Sequence, residues 1–369
     1  MAIQKISGVT IELTSQASGD VAYFDGTDWV RLAKGEPGEV LTMNESETAP
    51  QWGPACLFTG TQTGYSCGGW TGPGETYSDN IQKYSLVTDG NSTDIGNLVF
   101  SRRMCNGHSS STHGYVTSGY KGSPIVNYNQ IDRFSFTTDG DATDWADCTT
   151  TMKVRAAPAS SCTDGFTYGG EDGAHLNTNV IDKFPFASQT NATDWADAVK
   201  AQYAGAGCSS DTYGYAMGGV QHLAPGIPSG TVINSIERYP FATQTNATDV
   251  GDITVTRHTP VGVSSLTHGY CCGGTFAPAP AGTQDYDVID RVSFATGGNA
   301  TDHGDLTAVI RHPSAASSTT HGYVCGGGWG PSWSAVVNVI QKFAYASNTT
   351  ATDVGDITIA TDGMSGHQY

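Results

Sequence analysis

The chain has 369 residues and a net charge of −18. So acidic a balance argues against non-specific binding to nucleic acid or anionic membranes. Charged residues make up only 14% while glycine contributes 47, a turn-rich all-β composition rather than a helical one.

The first 20 residues hold no apolar core of a secretory signal, and no run reaches the ~20 apolar residues of a membrane span. A soluble chain without membrane insertion is expected. Val21–Phe24 and Trp29–Leu32 flank Asp25-Gly26, a turn signal, so a hairpin is expected there. A segment as small as residues 1–54 buries little apolar surface alone and needs a partner or copies of itself.

From Ala55 onward, one unit of about fifty residues repeats six times. Its Gly-aromatic step falls at Gly64-Tyr65, Gly114-Tyr115, Gly165-Phe166, Gly214-Tyr215, Gly269-Tyr270 and Gly322-Tyr323. An isoleucine opens the next strand at Ile81, Ile131, Ile181, Ile236, Ile289 and Ile340. A Thr-Asp pair ends at Asp94, Asp144, Asp194, Asp249, Asp302 and Asp353. Within one unit, short β-rich segments read as strand C (Ile289–Phe294), D (His303–Val309), A (Ala315–Ser318) and B (Gly322–Gly327). No segment sustains a 3.6-residue apolar period, so helix is unsupported. The expected fold is therefore all-β: a six-bladed β-propeller over 55–369 with four antiparallel strands per blade, preceded by a small hairpin module over 1–54. Either Ala55–Phe58 or Met364–Tyr369 could supply strand A of the first blade.

The glycine doublets Gly68-Gly69, Gly169-Gly170, Gly218-Gly219, Gly273-Gly274 and Gly326-Gly327 end five of the B strands, with Ser118-Gly119 in the sixth. With an aromatic in the next strand, this pattern resembles the kelch-type blade. Residues 19–52 carry Gly-Asp-x-x-Tyr-x-x-Gly-x-x-Trp-x-Arg-Leu, then Val40-Leu41-Thr42 and a closing Ala49-Pro50-x-Trp52, with Tyr23, Trp29 and Arg31 at the motif positions. That stretch resembles a module of bacteriophage tail fibres and related virion proteins. The resemblance implies attachment to other virion proteins through residues 1–54, homotrimeric or other homo-oligomeric assembly, synthesis in the host cytoplasm and a place in the virion.

Asn191, Asn246 and Asn299 sit in Asn-Ala-Thr-Asp turns, and Asn91 in Asn-Ser-Thr-Asp. These match glycosylation sequons, but Asp141 and Thr350 replace the asparagine elsewhere, so turn chemistry is the better reading. Too few oxygens gather there for calcium. His113, His268 and His321 precede the Gly-aromatic step in blades two, five and six, a spacing unsuited to one zinc site. Of nine cysteines, Cys67, Cys162, Cys208, Cys272 and Cys325 read as small buried residues of a chain folded under reducing conditions. Neither a metal nor another cofactor is called for, and no nucleophile with a positioned base recurs, so the chain does not read as an enzyme.

Function should lie in what varies between the copies. Strand direction places the B–C and D–A loops on one face and the C–D turns on the other. The B–C loops carry Trp70, Tyr77, Tyr120, Tyr128, Trp329 and Trp333, and the D–A loops Arg102, Arg257 and Arg311. Aromatic faces stack on sugar rings or peptide groups, and arginine forks onto carboxylates. The expected function is a phage tail-fibre or head-fibre protein whose propeller binds a host surface polysaccharide or protein. Two alternatives remain: a capsid or tail decoration protein with structural contacts alone, and a glycan-cleaving enzyme.

Overall fold

The computed structural model describes residues 17–35, 39–43, 49–54, 62–72, 76–122, 124–151, 153–171, 177–221, 230–276, 284–330 and 335–368. Contacts divide the chain into two compact units, Met1–Cys56 and Leu57–Tyr369. The first contains two antiparallel hairpins, Val21–Phe24 with Trp29–Leu32 and Glu39–Met43 with Pro50–Pro54. Asp25 shapes the first turn: its Oδ1 accepts from the Thr27 and Asp28 amides, both at 2.8 Å. Arg31 donates to Asp20 at 2.6 Å, and this bond holds the Asp20 carboxyl down at about 2. Trp52 donates its indole N–H to the Ala33 carbonyl. Tyr23 is half-buried, while Phe24 and Trp29 are exposed and pair at 5.9 Å.

The second unit is a six-bladed β-propeller of antiparallel four-stranded sheets ordered A-B-C-D, with a short extra pairing in blade 4. The A strands are Ser365–Gln368, Asn106–Ser109, Ala157–Ser160, Ala206–Ser209, Val261–Ser264 and Ser314–Ser317, in blade order. Adjacent A strands touch, so they ring the axis. Ser365–Gln368 pairs with Thr63–Cys67, so the chain's last strand closes the first blade. The alternative segment, Ala55–Phe58, lies outside the described residues.

The repeated motif is an interblade device. Each aromatic of the Gly-aromatic step is buried, and five of the six stack on a ring of the following blade: Tyr65 on Phe136 at 4.9 Å, Tyr115 on Phe186 at 4.7 Å, Phe166 on Phe241 at 4.8 Å, Tyr215 on Phe294 at 5.0 Å and Tyr270 on Tyr345 at 4.9 Å. At the seam Leu86 takes the place of that ring, and Tyr323 donates to its carbonyl at 3.0 Å as Tyr115 does to the Phe186 carbonyl at 3.0 Å. The preceding glycine makes room for the partner strand's aromatic: a Cβ on Gly114 would sit 2.3 Å from the Phe134 ring.

Four of the five glycine doublets lie just beyond strand B, whereas in blade 4 strand B continues through Gly218-Gly219 to Gln221 with a register shift. In blade 6 strand B stops at Cys325, and Gly326 and Gly327 take φ of +58° and +101°. The second glycine of each true doublet donates its amide to the following D–A loop, as Gly69 does to the Arg102 carbonyl at 2.8 Å. Strand D of blade 5 is Thr301–Asp305, four residues shorter at its end than expected, because Leu306 and Thr307 already turn toward the next blade. The asparagines of the C–D turns act across blades, not within their own turns. Asn191 Oδ1 accepts from the Asp147 amide at 3.1 Å, Asn246 from Asp197 at 3.0 Å, Asn299 from Asp252 at 3.1 Å and Asn91 from Asp356 at 3.0 Å. Asp141 takes the same bond from Asn97 at 2.9 Å.

Two closed rings of hydrogen bonds encircle the axis. At one end, Met104, Arg155, Ala204, Thr259, His312 and Gly363 are all left-handed, with φ between 52° and 67°. Each donates its amide to the carbonyl of the residue one blade back, at 2.6–3.1 Å. At the other end Ser160, Ser209, Ser264, Ser317, Gln368 and Ser109 accept in turn from the amides of the preceding A strands. Left-handed backbone is costly for non-glycine residues, and the ring over-determines it.

Candidate ligand-binding face

The B–C and D–A loops share one face and are knitted together. Short antiparallel bridges join Arg103 to Tyr120, Val154 to Glu171, His258 to Thr275, Arg311 to Gly328 and Asp362 to Trp70. These residues surround the axial mouth just outside the left-handed ring. Behind that ring lies an axial cavity of about 160 Å³, lined mostly by small residues of the A strands.

All three arginines expected to meet ligand are buried, Arg311 least so at 6% exposed. Arg102 and Arg257 are fully buried and pair with Asp132 and Asp290 of the next blade at 2.7 and 2.8 Å. Lys153 repeats the arrangement with Asp182 at 3.1 Å. A buried guanidinium needs a carboxylate and further acceptors, and Arg257 also donates to the Cys271 and Val288 carbonyls. Arg311 is at the mouth, 3.8 Å from Asp285, and donates to the Gly330 carbonyl at 2.5 Å. The residues beside the expected arginines matter more. Arg103 lies under the Trp70 ring at 4.9 Å and the Tyr120 ring at 5.5 Å. Arg155, absent from the sequence reading, pairs with Glu171 at 2.8 Å.

The mouth is therefore a mixed-charge cluster, with Arg103, Arg155 and Arg311 against Glu171, Asp285 and Asp362. Asp362 is fully buried, and neither carboxylate oxygen meets a hydrogen-bond donor among the described residues. Burial pushes its carboxyl up to about 6, opposed by the charges of Arg103, Arg155 and Arg311. Burial, with Arg155 and Arg311 nearby, lowers His258 to about 4 and keeps it neutral. His312 is driven well below its ordinary value for the same reasons, burial first.

The aromatics divide by role. Trp70 is 9% exposed, its ring packed against Arg103. Tyr77 and Tyr120 meet edge to face at 6.4 Å. Tyr128 stacks on Phe100 at 5.1 Å, and Phe100 is 44% exposed. Trp329 is 46% exposed, and Trp333 lies outside the described residues. Ten large apolar side chains are exposed among the described propeller residues. Eight of them (Val99, Phe100, Ile125, Val126, Val199, Val309, Trp329 and Ile359) sit on B–C or D–A loops, and only Val87 and Leu266 sit on the other face.

The motif histidines open strand B, directly after the A–B turns. His113, His268 and His321 each meet the preceding threonine hydroxyl at 2.8 Å. Among the described residues no cluster of His, Cys, Asp or Glu is placed to hold a metal. Among the described residues seven cysteines are free and buried, but Cys162 is exposed and disulfide-bonded, which corrects the reading of it as a buried thiol. Compared with known proteins, the chain matches no family model and no curated protein.

Proposed function

We propose that this chain is a bacteriophage fibre protein whose propeller binds a host surface polysaccharide or protein receptor through the B–C and D–A loop face. The observation that carries the binding face is the one-sided exposure of apolar side chains, eight of ten on the loop face. Scattered surface hydrophobes need no explanation, but a one-sided concentration marks an interaction surface. Val99, Phe100, Ile125, Val126 and Tyr128 come from the D–A loop after blade 1 and the B–C loop of blade 2. They offer stacking and apolar contact, and the mixed-charge mouth offers donors and acceptors for hydroxyls or amides. The virion assignment rests on the motif of residues 19–52, and copy number would multiply weak contacts into stable adsorption.

Adsorption of the full-length protein to host cells tests the reading. Phe100→Ala with Trp329→Ala should reduce bound protein by about tenfold or more, since aromatic anchors carry most interface energy. Val87→Ser with Leu266→Ser should leave it unchanged. Loss of binding only in the second pair would move the interface to the opposite face and favour docking to other virion proteins.

A further inference from the structure

Every junction between blades repeats one buried contact, and one junction breaks its pattern. The residue after the strand C isoleucine accepts a D–A loop amide from the preceding blade: Asp132 from Val99, Asp182 from Thr149, Glu237 from Val199, Asp290 from Thr254, Gln341 from Thr307 and Gln82 from Thr358. The loop residues at the matching position are Arg102, Lys153, Gln202, Arg257, Ile310 and Thr361. Three junctions thus join a carboxylate to a cation, at 2.7, 3.1 and 2.8 Å. Two join neutral residues, Ile310 with Gln341 and Thr361 with Gln82. Only the junction of blades 3 and 4 places a carboxylate, Glu237, opposite a neutral residue, Gln202.

Glu237 is 3% exposed. Its Oε2 accepts from the Val199 amide at 3.1 Å, and no donor among the described residues reaches Oε1. The side-chain Oε1 of Gln202 is buried with no partner among the described residues. Burial, with Asp249 adding repulsion, holds the Glu237 carboxyl up at about 7. A cavity of about 260 Å³ opens at this position, lined by Lys200, Gln221, Ser235, Glu237, Asp249 and Asp252 among others. Among its described lining residues the one cation is Lys200, 3.5 Å from Gln221 Oε1. Three carboxylates against one ammonium leave the cavity negative. Since no metal-ligating cluster is present among the described residues, a cation that brings its own hydrogen-bond donors suits it better than a bare ion.

We infer that the cavity between blades 3 and 4 binds a primary ammonium group, which docks on Glu237 and supplies the cation that Arg102, Lys153 and Arg257 supply elsewhere. The ammonium could belong to a lysine side chain of a protein or to an amino sugar of a glycan. This site is separate from the loop-face aromatics and does not rest on the proposed host-binding role.

Thermal unfolding of the full-length protein with butylammonium chloride, against equal sodium chloride, tests the inference. At pH 8 the wild type should show a saturable rise in Tm, and at pH 5, with Glu237 protonated, it should show none. Glu237→Gln should weaken the apparent affinity by about tenfold or more. Gln202→Arg should raise the amine-free Tm and abolish the response, because the internal cation then fills the site. Equal responses in wild type and Glu237→Gln, or none in wild type, would overturn the inference, and Glu237→Gln decides alone if Gln202→Arg misfolds. Comparing Nα-acetyl-lysine methylamide with glucosamine then identifies the source, and tighter binding of either supports the site.

Discussion

Arg257 and Asp290 meet 2.8 Å apart with both side chains out of solvent. The net worth of such a pair is small, because desolvation offsets most of the attraction, yet removing one partner strands a buried charge. Arg257→Leu should therefore cost about 3–5 kcal/mol of stability. The chain itself contains the alternative solution: Ile310 and Gln341 occupy the same two positions one junction on, and Gln341 Oε1 accepts from both the Thr307 amide and hydroxyl at 2.6 Å. Arg257→Ile combined with Asp290→Gln should regain most of the loss, measured by chemical denaturation. If the double variant is as damaged as the single one, the pair is not interchangeable with a neutral junction. This pairing also explains why the arginines were misread from sequence. Arg102 and Arg257 were visible as rare cations in loops, but their carboxylates lie some thirty residues away in the next blade, inside strands whose alternation gives no hint of a buried acid.

Strand A is the element in which burial has its sharpest pH consequence. His108 and His367 occupy equivalent positions in neighbouring A strands and are 1% and 0% exposed. His108 Nδ1 lies 3.0 Å from the Ala159 carbonyl, and His367 Nδ1 3.0 Å from the His108 carbonyl, so both Nδ1 atoms carry the proton. Burial lowers His108 to about 4 and His367 to about 3. Their folded values lie below the unfolded value near 6.5, so the stability they confer is full above pH 6.5. It is lost as pH falls toward 4, by about 1.4 kcal/mol per pH unit for each histidine. His258 and His312 at the mouth add to the same slope. Denaturation midpoints from pH 7 to 4.5 should fall, and His367→Gln should remove one proton's share of the slope. An unchanged slope would mean that His367 becomes charged without cost. Strand A was also the element least legible in sequence. Segments such as Ser314–Ser317 have no apolar alternation, because their neighbours are other strands' backbones: a Cβ on Gly366 would lie 1.9 Å from the Ala315 carbonyl oxygen. Strands B and C were legible through Gly-aromatic and Ile-x-(Lys/Arg)-(Phe/Tyr)-x-Phe, since those residues fill the blade interfaces.

At the scale of the whole propeller, stability depends on closing a ring whose ends are far apart in sequence. Ser365–Gln368 pairs with Thr63–Cys67 and completes one axial ring through Gln368, while Gly363, just before it, completes the other. On the far side of the seam, Asp356 donates to Asn91, Thr358 to Gln82 and Tyr323 to the Leu86 carbonyl. The sequence left this closure undecided because either candidate segment could end a strand A, and only long-range pairing separates them. Each blade buries its faces on its two neighbours, so an open ring leaves two blades with one bare face each. Deleting residues 364–369 removes an entire axial strand, exposes the ladder edge of Thr63–Cys67 and uncovers Tyr65, Cys67 and His108. The expected outcome is a lower Tm with a broadened transition, and early hydrogen exchange confined to strands of blades 1 and 6. Adding back a peptide of residues 361–369 should restore part of the Tm, because the ordering that the covalent strand received from the chain must now be provided by binding. If the deletion instead unfolds as sharply and as late as the full chain, the seam bonds of strands B to D suffice to hold the ring, and the closing strand contributes shape without cooperativity.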